Sequence, residues 1–178
     1  LSSTPKGIRL VQKPINELQI LRCGINEFSN LNFKNHFKLP NAIKLNSNQY
    51  ELIINIDLIN TDLFGIRLCI GPEQSTIIEY NKVQNQITFD RTQSGSTDFH
   101  SDFPTRYSGE LPFRSDGLNL NIFVDQNSIE IFANDGLFVS SNQIFPSVDA
   151  TEIELFCSGE MTIDSLRIWE LRPTGSAL

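Results

Sequence analysis

The sequence predicts an all-β domain, built as a two-sheet antiparallel β-sandwich, from three observations. Apolar and polar residues alternate with a period of two over much of the chain, as they do along strands with one buried face. Residues suited to tight turns separate these stretches at short intervals, and helical periodicity is almost absent. The 178 residues, 39% of them apolar and 20% charged, are enough for one globular domain with its own core.

The alternation defines about ten short strands. It is clearest at residues 50–59, where Leu52, Ile54 and Ile56 alternate with polar neighbours. The other predicted strands are residues 64–70, 76–80, 86–90, 118–124, 128–133, 136–140, 152–157 and 162–171. The predicted core residues, which hold the apolar phase of these strands, are Ile54, Ile56, Leu68, Ile122, Ile131 and Leu155.

Two segments do not fit the strand pattern. Residues 15–22 carry apolar side chains at helix-like spacing, but the segment is short and is equally compatible with a strand. Residues 92–108 form a longer stretch rich in Ser, Thr, Gly, Asp and Pro, which predicts an irregular loop. Loops of this length in compact domains are often functional, and edge covering or disorder is the alternative.

The charge balance narrows the classes of partner. The formal net charge is −7 at pH 7, from 14 Lys and Arg against 21 Asp and Glu, which argues against binding to nucleic acid. The same negative field repels anionic membrane surfaces, and the longest apolar runs are far too short for a transmembrane helix. A neutral ligand or a protein partner remains.

Neither a metal site nor a catalytic triad is indicated by the cysteines and histidines. Cys23, Cys69 and Cys157 are an odd set without CxxC spacing, and two of them fall within apolar strand patterns. His36 and His100 are far apart in the sequence and lie in polar surroundings, so we interpret them as surface residues. We identify no cofactor.

Four segments, at residues 7–22, 87–95, 123–136 and 163–171, resemble in that order parts of the C-terminal domain of glycoside hydrolase family 32. Residues 7–22 are similar to the segment that leaves the catalytic propeller of that family, and residues 87–95, Ile-Thr-Phe-Asp-Arg-Thr-Gln-Ser-Gly, resemble its Asp-Arg-Thr-x-Ser-Gly strand and loop. Residues 123–136, Phe-Val-Asp-Gln-Asn-Ser-Ile-Glu-Ile-Phe-Ala-Asn-Asp-Gly, resemble its paired-strand motif. Residues 163–171, Ile-Asp-Ser-Leu-Arg-Ile-Trp-Glu-Leu, resemble its closing strand.

The resemblance implies a jelly-roll or concanavalin-like sandwich that follows a five-bladed propeller. The family's catalytic motifs, Asn-Asp-Pro-Asn, Arg-Asp-Pro and Glu-Cys, do not occur in these 178 residues, so we expect one non-catalytic domain over residues 1–178. We expect this domain to be a fragment that lacks its N-terminal propeller. The chain does not begin with a basic and apolar leader, so either the protein is cytoplasmic or this N-terminus is not the native one. We favour the second alternative and expect a secreted protein.

The expected function is therefore that of an accessory domain in a fructan- or sucrose-hydrolysing glycosidase. It would brace the catalytic propeller domain of the same protein and contribute to binding of a neutral fructose-containing saccharide, or to dimer contacts. The alternative is an independent carbohydrate-binding module for levan or inulin. The substrate, and exo or endo action, are left open by the sequence.

Three residues are candidates for sugar binding. Asp90 and Arg91 end a predicted strand and open the long polar loop, where a carboxylate accepts from hydroxyls and a guanidinium donates a planar fork. Glu130 alternates with Ile129 and Ile131 and therefore faces outwards. The alternative is an ion pair that fixes the loop to the sheet. Glu17, near the predicted junction with the propeller, is a candidate interdomain residue.

Overall fold

The computed structural model describes residues 1–4, 7–39, 43 and 45–173 of the chain. These residues form twelve strands and one short 3-10 helix, Asn16–Leu21. The strands are β1 (Ser2–Thr4), β2 (Gly7–Arg9), β3 (Arg22–Lys38), β4 (Tyr50–Asp57), β5 (Leu63–Gly71), β6 (Gln74–Asn81), β7 (Gln86–Gln93), β8 (Arg106–Glu110), β9 (Gly117–Asp125), β10 (Ser128–Ala133), β11 (Phe138–Gln143) and β12 (Glu152–Leu171).

One long antiparallel sheet folds over to make both layers of the sandwich. Its strand order is β11-β10-β9-β4-β12-β5-β6-β7-β8, with β3 paired to β12. The first half of β12 pairs with β5 and the second half with β4, while β3 follows both halves. The sheet therefore bends along β12 and β3, and the all-β sandwich is confirmed. A separate hairpin of β1 and β2 precedes it.

The core lies between the two layers and has the composition that the alternation predicts. Ile54, Leu68, Ile122, Ile131 and Leu155 are fully buried, and Ile56 is 2% exposed, so the six predicted core residues are confirmed. The largest buried side chains include Tyr50, Phe64 and Phe89. Each Å² of apolar surface removed from water contributes roughly 25 cal/mol to folding. The core between the layers therefore supplies most of the favourable free energy of folding.

The free edges of the sheet, β8 and β11, face each other across a narrow seam. The ring of Phe138 covers Gly109 so closely that a Cβ there would lie 2.5 Å from Phe138 Cε2. Beyond the strand ends, Gly95 forms a parallel bridge with Phe145. These contacts protect the edges and nearly close the sandwich on this side.

The structure differs from the predicted elements in three places. The 17-residue β3 was not predicted, because Phe33 is its one buried residue and Asn30 and Asn35 have positive φ angles that interrupt the alternation. The two strands predicted at residues 152–157 and 162–171 are one bent strand, β12. The loop predicted at residues 92–108 ends earlier, at β8.

The helix-like alternative for residues 15–22 is the correct one, as a 3-10 helix. No helix in the described ranges is long and apolar enough to cross a membrane.

Candidate functional site

Asp90 lies on β7 beside Arg106 of β8, where its carboxylate closes a local turn. Its Oδ1 accepts hydrogen bonds from the backbone N–H of Thr92 (2.9 Å) and from Thr92 Oγ1 (2.6 Å). Carboxylates commonly stabilise turns in this way. Within the part of the chain that the structure describes, Oδ2 has no hydrogen-bond donor, so one oxygen remains able to accept from a ligand.

Arg91 fixes the start of the long loop to the opposite edge of the sheet. Its Nε donates to the carbonyl of Phe103 (2.9 Å) and its Nη1 to the carbonyl of Gln143 on β11 (3.3 Å). The guanidinium also lies 4.3 Å from the centre of the Phe103 ring. Part of the planar fork is therefore occupied by the protein itself, and Nη2 is the group with no protein acceptor among the described residues.

Glu130 is exposed on the outer face of β10, in register with Ser141 of β11 and Phe123 of β9. Arg91 and Glu130 form no ion pair in the described structure. Because Arg91 contacts Gln143, two residues along β11 from Ser141, the strand β11 separates the two side chains. Asp90 and Arg91 thus lie on β7 and Glu130 on β10, and no hydrogen bond or ion pair among the described residues joins their side chains to one another.

The N-terminal strap, residues 10–22, crosses the outer face of the β9–β10 hairpin. The backbone N–H of Gln12 donates to the carbonyl of Gly136 (3.1 Å), and Lys13 pairs with Asp135 (Nζ–Oδ1 3.4 Å). Glu17 lies in the 3-10 helix of the strap and is exposed, with no partner among the described residues. Its carboxylate is therefore open to solvent in this structure.

A buried ion pair fixes the C-terminal end of the strap. Arg22 donates to Glu51 through two nearly parallel hydrogen bonds, Nε–Oε2 at 2.6 Å and Nη2–Oε1 at 2.7 Å. Glu51 is 1% exposed, and the guanidinium of Arg22 lies 4.2 Å from the centre of the Trp169 ring. This bidentate, stacked geometry is specific to arginine. Sequence reasoning did not identify the pair, because Glu51 holds the outward phase of its strand.

A groove of about 290 Å³ lies between the strap and the outer face of β4, β9 and β10. Its walls include Leu18, Glu51, Asn121, Phe123 and Phe132. The Oδ1 atom of Asn121 is buried there without a hydrogen-bond donor in the described structure. The groove therefore combines apolar rings with polar groups that a ligand or a protein surface would satisfy.

Exposed apolar side chains are concentrated in and around the strap. Five isoleucine and leucine residues between positions 8 and 25 are more than half exposed, namely Ile8, Leu10, Ile15, Ile20 and Ile25. Single exposed apolar residues are ordinary, whereas several within one segment make that segment a candidate interaction surface. No group of three His, Cys, Asp or Glu side chains in the described ranges is placed to hold a metal ion.

Comparison with known proteins gives a consistent result across the chain. The model of the glycosyl hydrolases family 32 C-terminal region matches residues 17–170. A levanase of Bacillus sp. (strain L7) is 32% identical over 177 residues, which are 97% of this chain and 19% of the levanase. A sucrose-6-phosphate hydrolase of Zymomonas mobilis is 32% identical over 178 residues, which cover 95% of this chain and 33% of that enzyme.

The extracellular exo-inulinase of Aspergillus awamori is 36% identical over 106 residues, which are 59% of this chain and 20% of the inulinase. The crystal structure of the Aspergillus awamori exo-inulinase matches 97% of this chain and 34% of its own, with a TM-score of 0.80 and 25% identity. The chain thus spans about a fifth to a third of the length of these relatives.

Proposed function

Because the chain belongs to the C-terminal domains of glycosyl hydrolase family 32, we propose that it is a non-catalytic accessory domain of a fructan- or sucrose-hydrolysing glycosidase. Its main role is to brace the catalytic propeller domain of the same protein. The supporting observation is the strap, where Leu10, Ile15 and Ile20 are exposed and Ile15 lines a groove with an unsatisfied polar group. Covering this surface would remove apolar area from water and satisfy Asn121.

The bracing role is tested by mixing the chain with the separately expressed catalytic portion of the same protein. A partner that binds the folded state raises the unfolding midpoint of the catalytic portion by mass action. We expect this shift with the unmodified chain and a much smaller one with the double variant Ile15→Asp/Ile20→Asp. Ile59→Asp/Val83→Asp is the matched control, because Ile59 (65%) and Val83 (60%) are about as exposed as Ile15 and Ile20 and neither belongs to the strap. An equal loss in the control, or no shift at all, would contradict the proposal.

The chain alone should release no fructose from sucrose, inulin or levan. Retaining glycosidases need two carboxyls about 5–5.5 Å apart, one acting as nucleophile and the other as acid and base. The family's three catalytic motifs, which include those that supply these two carboxyls, are missing from this sequence. Fructose release that survives repurification and disappears on mutation of a carboxylate in the chain would overturn the proposal.

A contribution to fructoside binding at Asp90, Arg91 and Glu130 is a second part of the proposal. Asp90 Oδ2, Arg91 Nη2 and the exposed carboxylate of Glu130 are the free polar groups that support it. Glu130→Gln is the better test variant, because Arg91 also holds the loop whereas Glu130 has no partner in the described structure. We expect weaker binding of inulin or levan to Glu130→Gln in calorimetric titrations, with an unchanged unfolding midpoint. Unchanged affinity would remove Glu130 from the site.

The alternative function is an independent levan- or inulin-binding module. It is distinguished from bracing by the stabilisation assay, because an independent module should bind fructan but should not raise the unfolding midpoint of the catalytic portion. We place the whole protein outside the cell, which the similarity to an extracellular exo-inulinase supports.

A further inference from the structure

A pocket of about 520 Å³ lies where three loops meet at one end of the sandwich. The loops are residues 45–49 before β4, the β9–β10 turn and the segment that follows β11. Pockets of roughly 300–1,000 Å³ hold small molecules. The walls carry the carboxamides of Asn46, Asn48, Gln126 and Asn127, together with the apolar side chains of Pro146 and Val148.

The three loops are joined to one another in a ring of hydrogen bonds. The bonds run from Gln49 Nε2 to Asp125 Oδ1 (2.9 Å), from Ile144 N to Asn127 O (3.0 Å) and from Asn48 Nδ2 to Ser147 O (3.1 Å). Gln74 on β6 additionally accepts from the backbone N–H of Ser147 (3.0 Å). The pocket is therefore formed before any ligand arrives, which lowers the entropic cost of binding.

Asn48 is a polar side chain that the protein leaves incompletely satisfied. It is 6% exposed, and its Oδ1 is buried without a hydrogen-bond donor in the described structure. Its orientation is fixed, because the atom bonded to the carbonyl of Ser147 must be the nitrogen. Buried acceptors without donors are rare in folded proteins and unfavourable. Asn48 is one of the residues that line the pocket, so a ligand hydroxyl that reaches Oδ1 would satisfy the atom.

The exposed rim of the pocket supplies the complementary groups. The side chains of Gln126 and Asn127 have no hydrogen-bond partner among the described residues, and each carboxamide offers both donors and an acceptor. Val148, 90% exposed, and Pro146 add a small apolar surface suited to C–H groups. The carboxylate of Asp125 beside the turn disfavours anions. Amides, an apolar patch and negative surroundings together match a neutral polyhydroxylated ligand.

We propose that this pocket binds one unit of a neutral saccharide, at a site separate from Asp90, Arg91 and Glu130. The carboxamides of the rim donate hydrogen bonds to the hydroxyls of the sugar and accept hydrogen bonds from them. Pro146 and Val148 contact the carbon face of the sugar ring. The proposal does not depend on the bracing role, because none of these residues belongs to the strap.

The test is an NMR titration of the full chain with fructose, sucrose and, as an anionic probe, glucose 6-phosphate. We expect saturable shifts of the side-chain amides of Asn48, Gln126 and Asn127 with one of the two neutral sugars, and none with the phosphate. Each lost hydrogen bond should weaken binding by about threefold to tenfold, so Gln126→Ala/Asn127→Ala should bind about ten to a hundred times more weakly. Gln84→Ala, an exposed amide on another turn, is the matched control and should bind normally.

Three outcomes would overturn the pocket as a sugar site. They are no saturable shift with either neutral sugar, unchanged affinity in Gln126→Ala/Asn127→Ala, and equal binding of glucose 6-phosphate. Repeating the titration with Glu130→Gln separates this site from the one in the proposed function. Shifts that survive that variant but not the double variant support the pocket alone, and the reverse pattern rejects it.

Discussion

The guanidinium of Arg22 and the carboxylate of Glu51 face each other in a bidentate pair that lies under the N-terminal strap, with oxygen-to-nitrogen distances of 2.6 and 2.7 Å. Glu51 is 1% exposed, and Arg22 is its ion-pair partner among the described residues. Arg22 is the last residue of the strap and the first residue of β3. The pair therefore fixes the strap to the sheet and sets the direction in which the chain enters the sandwich.

Removing one member of this pair should be strongly destabilising. Arg22→Met leaves the buried carboxylate of Glu51 without a partner, which costs about 3–5 kcal/mol in comparable buried pairs. The double variant Arg22→Met/Glu51→Leu removes both charges and should recover most of that loss. Urea unfolding measures both. Two results would show that the pair does not fix the strap to the sheet. One is a single variant as stable as the unmodified chain, and the other is a double variant no more stable than the single one.

Gly136→Ala should release the strap at its other end. Gly136 has φ of +83°, and a Cβ there would lie 1.9 Å from the carbonyl oxygen of Gln12. Gly159 is the matched control, because its φ is +85° and nothing lies within 4 Å of the corresponding position. Both variants incur the left-handed strain of about 1 kcal/mol, but Gly136→Ala must also displace the strap.

The displacement is measured as faster amide hydrogen exchange at residues 10–22 and as a lower unfolding midpoint. We expect both effects to be larger in Gly136→Ala than in Gly159→Ala. Equal exchange in the two variants would mean that the strap is not held against the β10–β11 turn.

Arg91→Ala should loosen the long loop between β7 and β8. Hydrogen bonds from a charged donor contribute about 1.5–3 kcal/mol, and Arg91 donates to the carbonyls of Phe103 and Gln143 while stacking on Phe103. Arg91→Lys should not restore the loop, because an ammonium group lacks the planar fork. Limited proteolysis between residues 94 and 105 is the measurement. Equal cleavage of Arg91→Lys and the unmodified chain would contradict the fork geometry.

The strands that the sequence predicts correctly are those with one face in the core. In β4, β9 and β10, burial of alternate residues leaves a period of two that can be read locally. β3 has no such pattern, because its position is fixed by pairing with β12 rather than by an apolar face of its own. From the sequence alone, Ser158 and Gly159 predict a turn between two strands. In the structure they lie where the single strand β12 bends from one layer into the other.

For the candidate site, too, the sequence predicts only what local patterns show. Asp90, Arg91 and Glu130 were identified from strand ends and an outward phase, which are local features. The burial of Glu51 could not be predicted in this way, because the strap that covers it lies some thirty residues earlier in the chain. The ring of hydrogen bonds around Asn48 likewise joins three loops that are distant in sequence.

Ile131→Ala tests the assigned phase of the central hairpin. Ile131 is fully buried in β10, so truncation to Ala should lower the free energy of unfolding by about 2–5 kcal/mol. Glu130→Ala, one residue away on the exposed face, should change it by less than about 0.5 kcal/mol. Similar effects in the two variants, measured by urea unfolding, would show that the phase is wrong.

The last prediction concerns stability at alkaline pH and the buried thiol of Cys69. Burial raises the pKa of Cys69 to about 12, whereas an unfolded cysteine ionises near pH 8.5. Below that pH both states hold the proton, so the contribution of Cys69 to stability is fully present. As the pH rises towards 12 the unfolded chain alone loses the proton, and the free energy of unfolding falls by about 1.4 kcal/mol per pH unit.

Urea unfolding at intervals between pH 8 and 9.5 should reveal this slope. Nearer pH 10 the tyrosines Tyr50, Tyr80 and Tyr107 add to it, because burial also raises their pKa. Cys69→Ala and Cys69→Ser should both flatten it by one proton, since neither side chain titrates in this range. Their absolute stabilities will differ, because serine places a hydroxyl in the apolar core, but the two slopes should agree. Burial also raises the pKa of Cys157, so a residual slope remains in both variants. If Cys69→Ala retains the full slope, the alkaline loss of stability arises elsewhere in the chain and Cys69 ionises equally in both states.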